Sequence, residues 1–203
     1  MRTLLATTLA AAGIAAVCFI GNGANAVGSA VGSTAGSAAG SAAGSAVGSA
    51  VGSTISNQTR APEFAGIERW LNSQPLSMES LRGKVVLVDF WTYSCINCIN
   101  TLPYIKQWHD KYKDQGLVVV GVHTPEFPFE KSTANVQAAI KRFDIRYPVA
   151  QDNRYATWSA YHNRYWPALY LVDAEGRIVY QHFGEGQYAE TEAAIRNALA
   201  QRK

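Results

Sequence analysis

Eight residues, Lys84–Trp91 (KVVLVDFW), form an apolar run bounded by Gly83, and two cysteines follow it closely, at Cys95 and Cys98. A run so rich in β-branched and aromatic side chains reads as a strand buried on both faces. Beyond it the period changes. Ile99, Leu102, Ile105, Trp108 and Tyr112 recur at three- and four-residue steps, which marks one face of a helix. A second apolar run, Leu117–Val122, follows Gly116 and reads as another strand. Strand, helix, strand in that order calls for a parallel pair with a right-handed crossover. The cysteines therefore lie at a strand-to-helix turn.

The remaining pattern extends this unit. Val136, Ile140 and Phe143 predict a helix capped by Ser132 or Thr133. The stretch YPVAQ reads as a brief strand and YATWSAYH as a short helix. ALYLVDAEGRIVYQHF gives two strands about the turn Asp173–Gly176, and so tight a turn makes them antiparallel. Tyr188–Leu199 forms an amphipathic last helix. Pro103, inside the helix after the cysteines, predicts a kink there. The fold class is α/β: a mixed sheet, parallel first and antiparallel at the end, flanked by helices.

Only part of the chain can build this core. Residues 3–59 carry no charged side chain. Residues 1–26 pair one early arginine with an apolar stretch and an Ala-Asn-Ala ending at Ala26, which is the pattern of a secretory signal peptide. An uncleaved membrane anchor is the rival reading, since Thr3–Gly21 approaches spanning length. Residues 27–59 form a linker in which seven tetrapeptides of Gly, Ser, Ala, Val and Thr run from Val27 to Thr54. These offer nothing large to bury, so a disordered spacer is expected. Residues 60–203 hold 21 aromatic side chains and suffice for one domain. Without Arg2 the net charge falls from +3 to +2, and the basic residues do not cluster, which excludes nucleic acid as a favoured partner.

Cys18 would leave with the signal peptide, and Cys95 and Cys98 remain. Backbone N–H groups at a helix start stabilise a thiolate, which makes Cys95 the attacking sulfur. Cys98, one turn on, is placed to attack a mixed disulfide on Cys95 and release the product. A zinc site would need four ligands, and no histidine stands at metal-ligand spacing. A purely structural bond would close too small a loop to stabilise much. Asp89 stands inside the first strand, where a carboxylate is costly unless partnered or protonated; its alternative is an edge position facing solvent.

The stretch VVLVDFWTYSCINCINTLPY resembles the thioredoxin-like superfamily, and within it the exported TlpA and DipZ-type branch. Similarity extends over roughly Phe64–Leu199, including LSMESLRGK before the strand, Pro103 five residues after Cys98, and a long helical segment, 124–146, inserted between the second strand and the next. The resemblance implies a thioredoxin-like fold and dithiol/disulfide exchange with protein substrates, more as a reductase than as an oxidant. A membrane electron carrier is the implied redox partner, with membrane contact only if the N-terminal segment stays uncleaved. No cofactor is implied beyond the two sulfurs. Pro167 is similar in position to the family's cis-proline, with Trp166 beside it to press on an extended substrate chain. Asp89 matches the buried aspartate that takes the proton of the resolving thiol. Two departures stand out: Thr101 replaces a glutamate common in TlpA-like proteins, and Ile96 and Asn97 replace the Gly-Pro of thioredoxin.

Two other functions fit parts of the pattern. Thr92 to Cys95 spells the T-x-x-C of thiol peroxidases, although Val88 stands where those families place a proline. A non-catalytic module holding extended peptides at the Trp166 loop is the other.

Overall fold

The computed structural model describes residues 59–202. The expected signal peptide and linker lie outside the described residues, apart from Thr59. In chain order the elements are β1 (Arg69–Leu71), β2 (Val85–Trp91), α1 (Ile96–Tyr112), β3 (Leu117–His123), α2 (Thr133–Arg142), β4 (Val149–Gln151), α3 (Ala156–Ala160), β5 (Ala168–Val172), β6 (Ile178–Phe183) and α4 (Tyr188–Gln201). The strands form one sheet in the order β1-β4-β3-β2-β5-β6. β2, β3 and β4 run parallel, while β5, β6 and the short β1 pair antiparallel with their neighbours. This is the mixed sheet expected from sequence, with β1 added at an edge.

β2 is buried at all seven positions because it has a strand on each side and helices on both faces. Strand alternation divides its side chains between two cores. Val85, Leu87 and Trp91 pack with Leu102, Ile105, Trp108, Tyr147 and Ile195, under α1 and α4. Val86, Val88 and Phe90 turn the other way, toward Met78, Leu81, Tyr161 and Tyr170. Each large side chain so buried contributes roughly 1.5–3 kcal/mol.

The helices follow their sequence signals closely. α2 begins after Ser132, whose hydroxyl accepts from the Asn135 N–H. α1 starts at Ile96, a turn before its apolar stripe, and continues through Pro103 to Tyr112. A 3-10 turn, Pro128–Lys131, precedes α2 in the inserted segment.

Strand register gathers the functional loops. Trp91 and His123 end β2 and β3 side by side. Ala168 opens β5 opposite Phe90, which brings the preceding Pro167 to the level of Trp91. The loops 92–95, 124–131 and 164–167 therefore meet at the carboxyl ends of the parallel strands, where open α/β sheets place their sites.

Candidate active site

Cys95 is the N-cap of α1 with an extended backbone, and its carbonyl accepts from the Ile99 N–H. Both cysteines are free thiols, Cys95 partly exposed and Cys98 buried. This difference separates their chemistry. A hydrogen bond from the Cys98 thiol, joined by the backbone N–H groups of Cys98 and Asn97, outweighs burial and lowers the Cys95 thiol to about 6. The same contact works the other way on Cys98: hydrogen bonding to Cys95 and burial push its thiol far above the ordinary range. Cys95 is a thiolate at neutral pH, and Cys98 holds its proton.

Asp89 lies on the same sheet face as Trp91 and Cys98 and is 1% exposed. Its strand is central, so the solvent-facing edge position does not occur. Burial, with a smaller contribution from the charge of Cys95, raises its carboxyl to about 7. Asp89 in turn adds to the upward shift of Cys98, so the two groups lie within Coulombic reach. A carboxylate that titrates near neutrality beside a thiol that must lose a proton can act as its acceptor.

The Trp166–Pro167 peptide is cis. The Trp166 indole packs on Trp158 at 4.1 Å between ring centroids and donates through Nε1 to the Thr124 carbonyl at 3.0 Å. Its ring is thus tied to the inserted segment instead of standing free over the cysteines. Thr101, where the glutamate of TlpA-like proteins is replaced, is buried and donates to the Asn97 carbonyl one turn back.

Several residues at this end of the sheet carried no sequence signal. Glu130 is 0% exposed. Its carboxylate accepts from the Ser94 hydroxyl and from the N–H groups of Glu126 and Phe127, the last at 2.9 Å. Burial alone would raise this acid; hydrogen bonds from Ser94, Thr92 and the two backbone N–H groups outweigh it and hold the acid below its ordinary value. Tyr93 adds a second tie, donating to the Phe129 carbonyl at 3.0 Å. The inserted segment is thereby fastened to the three residues that precede Cys95. Beneath them His123 is fully buried, stacked on Tyr93, with Nε2 3.3 Å from the Thr92 hydroxyl. Burial lowers its imidazole to about 4, so it is neutral.

The Redoxin family pattern matches residues 56–199, a span that holds Asp89, both cysteines, Glu130 and the Trp166–Pro167 pair. The chain belongs to the Redoxin family. Protein DipZ of Mycobacterium bovis is 53% identical over 142 residues, covering 68% of this chain and 20% of DipZ. The chain thus spans about a fifth of that relative's length. The thiol-disulfide oxidoreductase YkuV of Bacillus subtilis is 33% identical over 125 residues, covering 62% of this chain and 82% of YkuV. Among solved structures, a thioredoxin-like protein in the oxidised form superposes with a TM-score of 0.66 at 30% identity, covering 72% of this chain and 98% of the other. A thiol-disulfide isomerase from Corynebacterium glutamicum gives 0.62 at 26% identity, over 70% and 97%. The mixed sheet of this Redoxin chain is the thioredoxin-like fold.

Proposed function

We propose that this Redoxin-family chain is an exported thiol-disulfide oxidoreductase that reduces protein disulfides and is itself recharged by a membrane electron carrier. The observation that carries the reading is the placement of two neighbouring free thiols at the start of α1, Cys95 partly exposed at the N-cap and Cys98 buried one turn on, over the buried carboxyl of Asp89. The named activity of YkuV supports the same reaction class.

In the forward direction the Cys95 thiolate attacks one sulfur of a substrate disulfide. A Cys95–substrate disulfide forms, and the other substrate sulfur leaves as a thiolate. Cys98 passes its proton to the Asp89 carboxylate and attacks Cys95 Sγ. The mixed disulfide breaks, the second substrate thiolate departs, and Cys95 and Cys98 are left joined as a disulfide. Two electrons have moved from the pair to the substrate, and an external dithiol must return them. Export rests on the secretory pattern of residues 1–26, and the 27–59 spacer would let the domain reach partners at a surface.

A Cys95 thiol near 6 lies closer to thioredoxin's about 7 than to the about 3.5 of a strong periplasmic oxidant, whose reduced form is stabilised by its thiolate. The peroxidase reading loses ground because the Thr92 hydroxyl is buried against His123.

Trapping tests the assignment of the sulfurs. Cys98→Ser should accumulate substrate proteins as mixed disulfides on Cys95, whereas Cys95→Ser should accumulate few. Equal trapping by the two variants, or peroxide consumption outpacing disulfide reduction, would overturn the proposal.

A further inference from the structure

On the sheet face under α1, the Asp89 carboxylate has two buried polar neighbours that the reaction above leaves unused, the Trp91 indole and the Tyr147 hydroxyl. Asp89 on β2 pairs in register with Gly121 on β3. A Cβ built on Gly121 would stand 3.0 Å from Trp91 Nε1 and 3.1 Å from Tyr147 Cε2, so both rings close over the bare glycine beside Asp89. Tyr147 is 0% exposed and Trp91 1%. Asp89 Oδ1, Trp91 Nε1 and the Tyr147 hydroxyl are all buried without a hydrogen-bond partner among the described residues. Three such atoms in one pocket of an otherwise apolar core are uncommon, because each costs free energy unless it is satisfied. Their chemistry is complementary: the indole and the phenol donate, and an ionised carboxylate only accepts.

We propose that Tyr147 is a positioning residue for proton transfer, its hydroxyl donating with the Trp91 indole toward the Asp89 carboxylate and so keeping Asp89 ionised and ready to receive the Cys98 proton. The inference rests on the reading of Asp89 as that acceptor. The contact is made directly as the two side chains rotate, or through one bridging water, and either route favours the carboxylate. Burial first, and then the charges of Asp89 and Cys98, raise the Tyr147 phenol, so the hydroxyl stays protonated as a donor within Coulombic reach of both groups.

The other titratable groups around the pocket do not substitute for it. From α1, Cys95 and Cys98 are the reacting groups, and His109 packs edge-on against the Tyr147 ring at 5.8 Å. From β3, His123 lies across Trp91 and is held neutral by burial. Lys106, Asp110, Asp144 and Arg146 line a surface recess on the outer side of Tyr147 with His109. Lys106 is engaged with the Phe143 carbonyl, and Arg146 with Asp144. On α4, Glu192 is bound to Lys111 and Tyr112.

The test uses the reduced full chain and a nitrothiobenzoate disulfide reagent, whose first chromophore is released by Cys95 and second by Cys98. In Tyr147→Phe, which keeps the ring, the pH midpoint of the second phase should rise by about 0.7 unit, the equivalent of one ordinary hydrogen bond lost to the carboxylate. The first phase should keep its midpoint, and the rate deficit should vanish at high pH. Asp89→Asn should remove the neutral midpoint, and adding Tyr147→Phe to it should shift nothing further. An unchanged second-phase midpoint in Tyr147→Phe, or slowing by the same factor at every pH, would overturn the role of Tyr147 while Asp89 keeps its own. A parental profile in Asp89→Asn would instead overturn the reading of Asp89.

Discussion

Asp89 places a measurable load on the fold at the pH where it works. With a folded value near 7 against an ordinary carboxylate value of 3.8, the native state binds the extra proton between those limits. Stability therefore falls as pH rises through that window. Asp89→Asn should remove this slope, leaving the variant about equal to the parent near pH 4 and more stable by on the order of 4 kcal/mol at pH 8. Cys95, whose thiol is depressed, gives a slope of the opposite sign above about 6; it is present in both proteins, so the difference between them reports mainly on Asp89. Denaturant titrations across pH check this, and a parallel pair of stability curves would contradict a protonated, buried Asp89. Asp89 was legible in the sequence because an acid inside a buried run demands an explanation. Tyr147 was not, since nothing in a lone tyrosine before Pro148 shows that Gly121 leaves room for it beside Asp89.

At the scale of elements, the inserted segment is more than a connection. Glu130 joins it to Ser94 across 36 positions of sequence, and the Trp166 indole joins it to the loop of Pro167. All three loops of the site are thus cross-tied. Glu130→Gln keeps the size but removes the charge: its amide oxygen still accepts from the N–H groups of Glu126 and Phe127 and its NH2 turns to the Ser94 hydroxyl, so charge-assisted bonds become neutral ones and the loss should be about 1–2 kcal/mol. Hydrogen exchange at Glu126 and Phe127 should quicken, and reintroducing glutamate should restore it. Because Glu130 is depressed below its ordinary value, its stabilisation is present above that value and lost as pH falls through the folded one. The variant and parent should converge in acid; a gap that persists there would mean that packing, not charge, holds the segment. Periodicity disclosed β2, α1, β3, α2 and the β5–β6 hairpin because each has a long apolar pattern. It missed β1, whose three residues are too few to show alternation and which exists only by pairing with β4. The ties of Glu130 and Trp166 were hidden for a related reason: their partners are backbone groups and a serine that carry no pattern of their own.

On the scale of the whole molecule, the described domain occupies the part of the chain that its relatives share, and about a fifth of DipZ corresponds to it. Composition alone separated the uncharged stretch 3–59 from the domain. Among the described residues no helix is long and apolar enough to cross a membrane. Direction of electron flow is the property that links the domain to its setting. If Cys95 and Cys98 cycle as a reductase, redox titration of the full chain against dithiol/disulfide buffers should give a single two-electron transition near thioredoxin's about −270 mV, lost in either cysteine variant; a potential near the about −120 mV of a strong oxidant would rule that cycle out.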